Sequence, residues 1–484
     1  MEANTKKSGL THWIHVAIVL CFMFLFGYIP PIEPITPDGM KCLGIFLGMI
    51  YGWITCGPIW PSFIGIIMMV LYGFNTITGV ITAGLGSETC MFVLFIFIFT
   101  YQITQTKLDT YLATWLLSLK FIQGKPWIFT SVFLVGCALI TGITNSPFAM
   151  IVIFWAMFYD IAKALGYKPY EAYPSLMIIG IVLACSLGQC MMPFSALVVI
   201  CGGVFTQMTG LSIAPLTWLL FTIPTIIMLM FVYVGVCKFI FRPDVSKVKN
   251  FTTDMVDQSA LVLTKEKICM MLILLCYVIA LICTKALPAT SIIGAKLASL
   301  GNFGVTVFFL FLMCIMRIDN KPFINFDACA KNGIVWSVLG MMMAVLPMAS
   351  LLTADFTGIK PFLVQLFSGM LSSMGPVAFV MIICALTVFL TNLLNDAIVG
   401  IIFITVLISA GSAFAIDLIP AAILVIFGCH MAILLPSSAP YAAMMHGNTA
   451  WLKQKDIYKY ASVSFVILMI FLSTLGYFWV NIIY

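Results

Sequence analysis

Residues 141–151 read TGITNSPFAMI, and residues 388–398 read VFLTNLLNDAI. Each places a Thr-Asn pair and further polar or turn-forming residues in the middle of a long apolar stretch, about 127–163 and about 376–411. The apolar arms on either side are about 15 to 17 residues long. A helix needs about 20 apolar residues to cross a bilayer. The pattern therefore predicts two re-entrant helical hairpins that enter and leave on one side, with tips at Thr144-Asn145-Ser146-Pro147 and Thr391-Asn392-Leu393-Leu394-Asn395-Asp396.

Downstream of each hairpin lies an apolar stretch too long for one straight helix, 173–208 and 418–450. Each contains a proline part-way, Pro193 and Pro440. Proline removes a backbone donor and clashes with the preceding turn, so each stretch reads as two half-helices around a break. Shifting the chain by 247 residues superposes these features. Thr144-Asn145 falls on Thr391-Asn392, Ile151-Val152 on Ile398-Val399, and Pro193 on Pro440. The interval from tip Asn to break Pro is 48 residues in both halves.

Nine further apolar runs read as spans: 13–30, 40–56, 59–74, 89–106, 213–240, 268–285, 292–316, 333–353 and 457–483. With the two broken stretches this predicts an all-α polytopic membrane protein of about 11 transmembrane helices plus two hairpins. The domain layout is an N-terminal tail and first span at 1–39, a first repeat at 40–240, a cytoplasmic linker at 241–267 and a second repeat at 268–484. Each repeat has five crossings, an odd number, so the second is inverted relative to the first. The hairpins then approach the midplane from opposite sides, where secondary transporters place their sites.

Composition agrees. The chain is 63% hydrophobic and 8% charged, with a mean hydropathy of +1.15. Soluble domains carry about 25% charged residues. With the N-terminus in the cytoplasm and the C-terminus outside, 19 of the 23 basic residues fall on the inner face and only Lys41, Lys285, Lys296 and Lys360 on the outer. This is the bias of a cell-membrane protein, not of a nucleic-acid binder. The 16 cysteines include no C-x-x-C spacing and read as small buried hydrophobes. No H-E-x-x-H or G-x-S-x-G motif suggests an enzyme.

These tips and breaks resemble the ion transporter superfamily, most closely its divalent-anion/sodium symporters, the di- and tricarboxylate carriers. That family carries a Ser-Asn-Thr signature at each hairpin tip and a proline in the broken helix that follows. The matching positions here are Thr144-Asn145-Ser146 and Thr391-Asn392-Leu393, with Leu393 where the family has a hydroxyl. The resemblance implies a homodimeric carrier of a small organic anion, working by elevator-type alternating access. It implies coupling to sodium, with no cofactor besides the coupling ion. A proton-coupled anion carrier or a cation/proton antiporter of the same superfamily is the alternative.

The chemistry sorts the candidates. Helix N-termini at the tips offer N–H groups and partial positive charge to an anion. Thr144, Asn145, Ser146, Thr391, Asn392, Ser437 and Ser438 are the expected substrate contacts. Asn145, Ser146, Asn392, Asn395 and Asp396 are the expected cation ligands. Asn, Ser and Thr also favour helix caps, which is their competing structural role. Asp396 is the only acidic residue that this layout places at membrane depth, where a carboxylate marks function by default. Its repeat mate is Ala149, so the fold itself does not require an acid there. Gln189 and Cys190 flank the first break, His430 lies in the second broken stretch with a possible proton-relay role, and His446 is read as structural.

The inverted layout predicts that single cysteines near 144–147 react with an impermeant thiol reagent from the cytoplasm, and those near 391–396 from outside. Labelling in a Cys-depleted background checks it. Both tips reacting from one side only, in every state, would contradict the inversion.

Overall fold

Inside a bilayer the backbone has no water to pair with, so a spanning segment must close its hydrogen bonds within a helix. The computed structural model follows this rule: the chain folds into helices, with one short antiparallel strand pair, Arg317–Ile318 against Lys321–Pro322. The structure describes residues 2–288, 290–411 and 416–484. The side chains of 2–10, 285 and 367–374 lie outside the description, and with them Lys6, Lys7 and Lys285 of the charge count.

Among the described residues, 11 helices are long and apolar enough to cross a membrane. The number matches the expectation and the membership differs. Both arms of the first hairpin qualify, Pro126–Thr144 with 19 residues and Pro147–Ala164 with 18. Ile59–Leu71 and both halves of the second broken stretch, Leu418–Cys429 and Pro440–Gly447, are too short. Arm length therefore does not mark the first hairpin as re-entrant. Leu418–Cys429 is a 12-residue helix, which advances about 18 Å into a hydrocarbon core of about 30 Å. The tip of the second hairpin is bonded to the break where that helix ends.

Asn392 makes that bond. Its amide nitrogen donates to the carbonyls of Val388 and Met431, each at 2.8 Å. Its Oδ1 accepts from the N–H groups of Ile433 and Leu434, each at 2.9 Å. Thr391 adds a bond from Oγ1 to the Cys429 carbonyl at 3.0 Å. The tip and the unwound residues of the break thus satisfy each other without water. On the other side of the pseudo-symmetry, the first hairpin lies against the first broken helix, Ala172–Gln189 and Ala196–Thr209. Gly188 permits the approach, because a Cβ there would overlap the backbone of Ala138.

The repeat extends beyond the motifs. Glu88–Gln105 corresponds to Trp336–Thr353 in element order, and the short helix Ile77–Ala83 to Phe326–Gly333. Each hairpin is preceded by an arm running along the chain between two left-handed residues. These are Lys107 (φ 53°) and Gly124 (φ 69°) in the first repeat, and Gly358 (φ 66°) and Gly375 (φ 78°) in the second. Both arms are 17 residues from hinge to hinge. The start of the second arm is tied to the loop before Pro37–Cys56, where Thr36 N donates to the Thr357 carbonyl at 3.0 Å. The linker packs on the first hairpin and on the start of the first broken helix: the Phe251 ring lies tilted against Phe129 at 4.6 Å, and Lys247 pairs with Glu171 at 3.0 Å.

Asn392→Ala removes four buried hydrogen bonds at once, and Asn392→Asp replaces two donors with oxygens facing carbonyls. At about 1 kcal/mol per bond, each variant is expected to lose on the order of 3 kcal/mol and to melt several degrees lower. Thermal unfolding of the purified protein checks this. A melting temperature equal to wild type would show that the clamp does not bear load.

Candidate functional site

Four helix N-termini serve the tips and breaks: Pro147, Asp396, Ala196 and Pro440. Local sequence explains each. Asn145 adopts the left-handed conformation (φ 49°, ψ 35°) and caps the first arm, its N–H bonding the Thr141 carbonyl at 2.7 Å. Asn tolerates that region better than most residues, and Pro147 then starts the next helix at its first position. At the second tip Asn392 stays right-handed and the turn is longer. Asn395 Oδ1 accepts from Ala397 N at 3.2 Å, and Asp396 Oδ1 accepts from the same N–H at 2.7 Å.

The two tips meet the second break. Asp396 N donates to the Ser438 carbonyl at 3.2 Å, and the Tyr441 hydroxyl faces Asp396 Oδ2 at 3.5 Å. Phe148 of the first hairpin lies 6.5 Å from the ring of Tyr441. The first break's second half packs on the second hairpin, with Cys201 and Cys429 both against Gly400. Residues from both repeats therefore surround Asp396. Among the described residues no ion pair involves it.

An anion binds to free donors and a cation to free acceptors, and the hydrogen-bond inventory separates the expected residues accordingly. Thr144 spends its hydroxyl on the Ile140 carbonyl of its own helix, Thr391 on Cys429, and Ser438 on Leu435. Asn392 has no donor or acceptor left in this conformation. Ser146 makes no side-chain cap, and Ser437 is exposed beside the break. Asn145 Oδ1 is buried without a partner. So is the hydroxyl of Ser195, a fully buried residue at the start of Ala196–Thr209. Sequence reasoning missed Ser195, though a Ser directly before an apolar run is a helix-start signal. It also missed Tyr441 as the neighbour of Asp396.

His430 is buried with Nδ1 at 3.0 Å from the Ile426 carbonyl and Nε2 unpartnered. Its carbonyl accepts from Ser186 Oγ, which joins the two broken helices. A cavity of about 570 Å³ lies elsewhere. It touches the first break at Pro193 and separates Ala196–Thr209 from Glu88–Gln105 and Ile292–Ile315, with Glu88, Thr206 and Asn302 among its polar walls. No tip residue lines it.

Comparison with known proteins places this architecture. No curated protein matches the chain. Among solved structures it is similar to the YdaH transporter of Alcanivorax borkumensis, whose crystal structure is described as having an unusual topology. The two are 12% identical with a TM-score of 0.59, over 85% of this chain and 89% of that one. At that identity the likeness is one of fold. Residues 49–428 match the citrate transporter family, which spans both hairpins and the second broken helix up to Gly428. The chain belongs to the citrate transporter family.

Proposed function

We propose that this protein is a secondary-active carrier of citrate or a similar di- or tricarboxylate, coupled to a cation that neutralises Asp396. The observation that carries the reading is Asp396 itself: a carboxylate at the N-terminus of Asp396–Gly411, at the meeting point of both repeats, with no ion-pair partner among the described residues. A substrate anion using that helix end would be repelled by the carboxylate. Binding of the anion and neutralisation of Asp396 are then one event, which is the requirement for symport.

The coupling ion we infer is a proton. Sodium needs several oxygen ligands, and of the expected set Asn145, Ser146, Asn392, Asn395 and Asp396, the neighbours of Asp396 in the chain are Asn392 and Asn395. Here Asn392 Oδ1 is filled by two N–H groups, and Asn395 Oδ1 caps its own helix. Around Asp396 a phenol and one N–H remain, a setting that suits a shared proton. The substrate carboxylates are assigned to the hydroxyls of Ser146, Ser195 and Ser437, to the amide nitrogen of Asn145 and to the free N–H groups of the helix ends, which leaves the unpartnered Asn145 Oδ1 as an acceptor. The two 17-residue arms between left-handed hinges, and the cavity dividing the first break from the flanking helices, support elevator movement of the hairpins. The N-terminus is placed in the cytoplasm on the charge bias.

Uptake of labelled citrate into proteoliposomes tests this. A proton gradient should drive accumulation, and a sodium gradient at equal pH should not. Asp396→Asn should abolish proton-driven accumulation while leaving citrate exchange intact. Sodium-driven uptake retained through Asn392 and Asn395 would return the coupling to sodium. Asn145→Ala should raise KM about 5- to 150-fold, the equivalent of about 1–3 kcal/mol for a lost polar contact. An unchanged KM would leave Asn145 with its capping role alone.

A further inference from the structure

His446 lies in Pro440–Gly447, just beyond the second break, with its ring buried. Its two ring nitrogens face different oxygens. Nε2 is 2.9 Å from the carbonyl of Leu434, and Nδ1 is 2.7 Å from Oε1 of Gln454. A carbonyl oxygen is only an acceptor. The orientation of Gln454 is fixed independently, because its Nε2 donates to the carbonyl of His446 at 2.8 Å. Turning the amide over would place its oxygen against that carbonyl. Both nitrogens of His446 therefore need a proton, and a neutral imidazole carries only one. The imidazolium is the form that satisfies this geometry.

Leu434 connects this ring to the hairpin. Its N–H is one of the two held by Asn392 Oδ1, so a single residue separates the proton on His446 from the clamp on the second tip. We propose that His446 is a proton-binding positioning residue: as imidazolium it holds Leu434 and the break in place, and the anion site at the second tip binds more tightly when it is protonated. This rests on the carboxylate reading of that site. The neighbours do not supply an alternative charge. Tyr458 faces the ring at 5.3 Å. The Tyr159 hydroxyl is taken by Asn448, Lys453 lies over Tyr170, and Lys459 lies over Tyr460. Among the described residues Glu171 pairs with Lys247, and Asp160, Lys163, Lys455 and Asp456 form no ion pair with His446.

The test uses the full-length protein in nanodiscs. With nitrogen-15 histidine there are four rings to resolve, and loss of a signal in His446→Gln assigns this one. Both of its nitrogens should be protonated at pH 6. A neutral ring at pH 6 would overturn the proposal without any variant being needed. Hydrogen exchange of residues 430–439, corrected for intrinsic rates, should be at least fivefold faster in His446→Gln than in wild type at pH 6. Exchange unaltered at pH 6 would also overturn it. Neither measurement uses substrate. In citrate uptake at pH 6 the variant should raise KM about tenfold with kcat unchanged. Faster exchange with an unmoved KM would leave the proton on His446 and remove the carboxylate from the second tip.

Discussion

The fold turns on one side-chain amide. A hairpin tip and a helix break are both places where backbone groups lose their helical partners, and neither can remain unpaired at membrane depth. Asn392 closes both deficits, giving two donors to carbonyls and taking two N–H groups on one oxygen. Asparagine suits this because its side chain offers two donors and two lone pairs on a short stem. Serine and threonine carry one donor, and an ionised aspartate carries none. The second hairpin, the unwound 430–439 segment and the half-helices on either side consequently form one unit. That unit is attached to the rest of the chain through an arm bounded by Gly358 and Gly375.

The first repeat contains the same parts and leaves them open. Asn145, the mate of Asn392, turns left-handed and keeps its Oδ1 buried and unpaired. Ser195 at the adjoining helix start is likewise without a partner. Duplication supplies the symmetric frame, and the departures from symmetry supply the chemistry. One Asn is spent on structure and the other is left available. One helix start carries Asp396 and the other carries Ala149 at the corresponding place.

Much of this was legible because its causes are local. Pro193, Pro440 and the Thr-Asn pairs announce breaks and tips in any context, and a 247-residue shift aligns them. The arms were not legible. Their identity lies in backbone angles at Lys107, Gly124, Gly358 and Gly375, and no shared residue type marks all four. The arms align at a shift of 251 residues, so one offset could not have found both. The saturation of Asn392 was also hidden, since three of its four partners are backbone atoms about 40 residues away. His446 was read as structural because nothing in the sequence places both a carbonyl and Gln454 Oε1 at its ring.

The placement of Asp396 on a helix start has a consequence for leak. A bare helix N-terminus attracts anions through its free N–H groups and dipole, and would bind a carboxylate whether or not a coupling cation was present. With an ionised Asp396 the site already holds its own carboxylate, bonded to the Ala397 N–H at 2.7 Å. A substrate carboxylate must compete with it. Neutralising Asp396 weakens that internal bond and frees the same N–H for the incoming anion. On the proposed symport reading, the residue would serve as a tethered substitute for substrate that keeps the anion out until the cation has arrived, a device that Ala149 at the corresponding place in the first repeat does not provide.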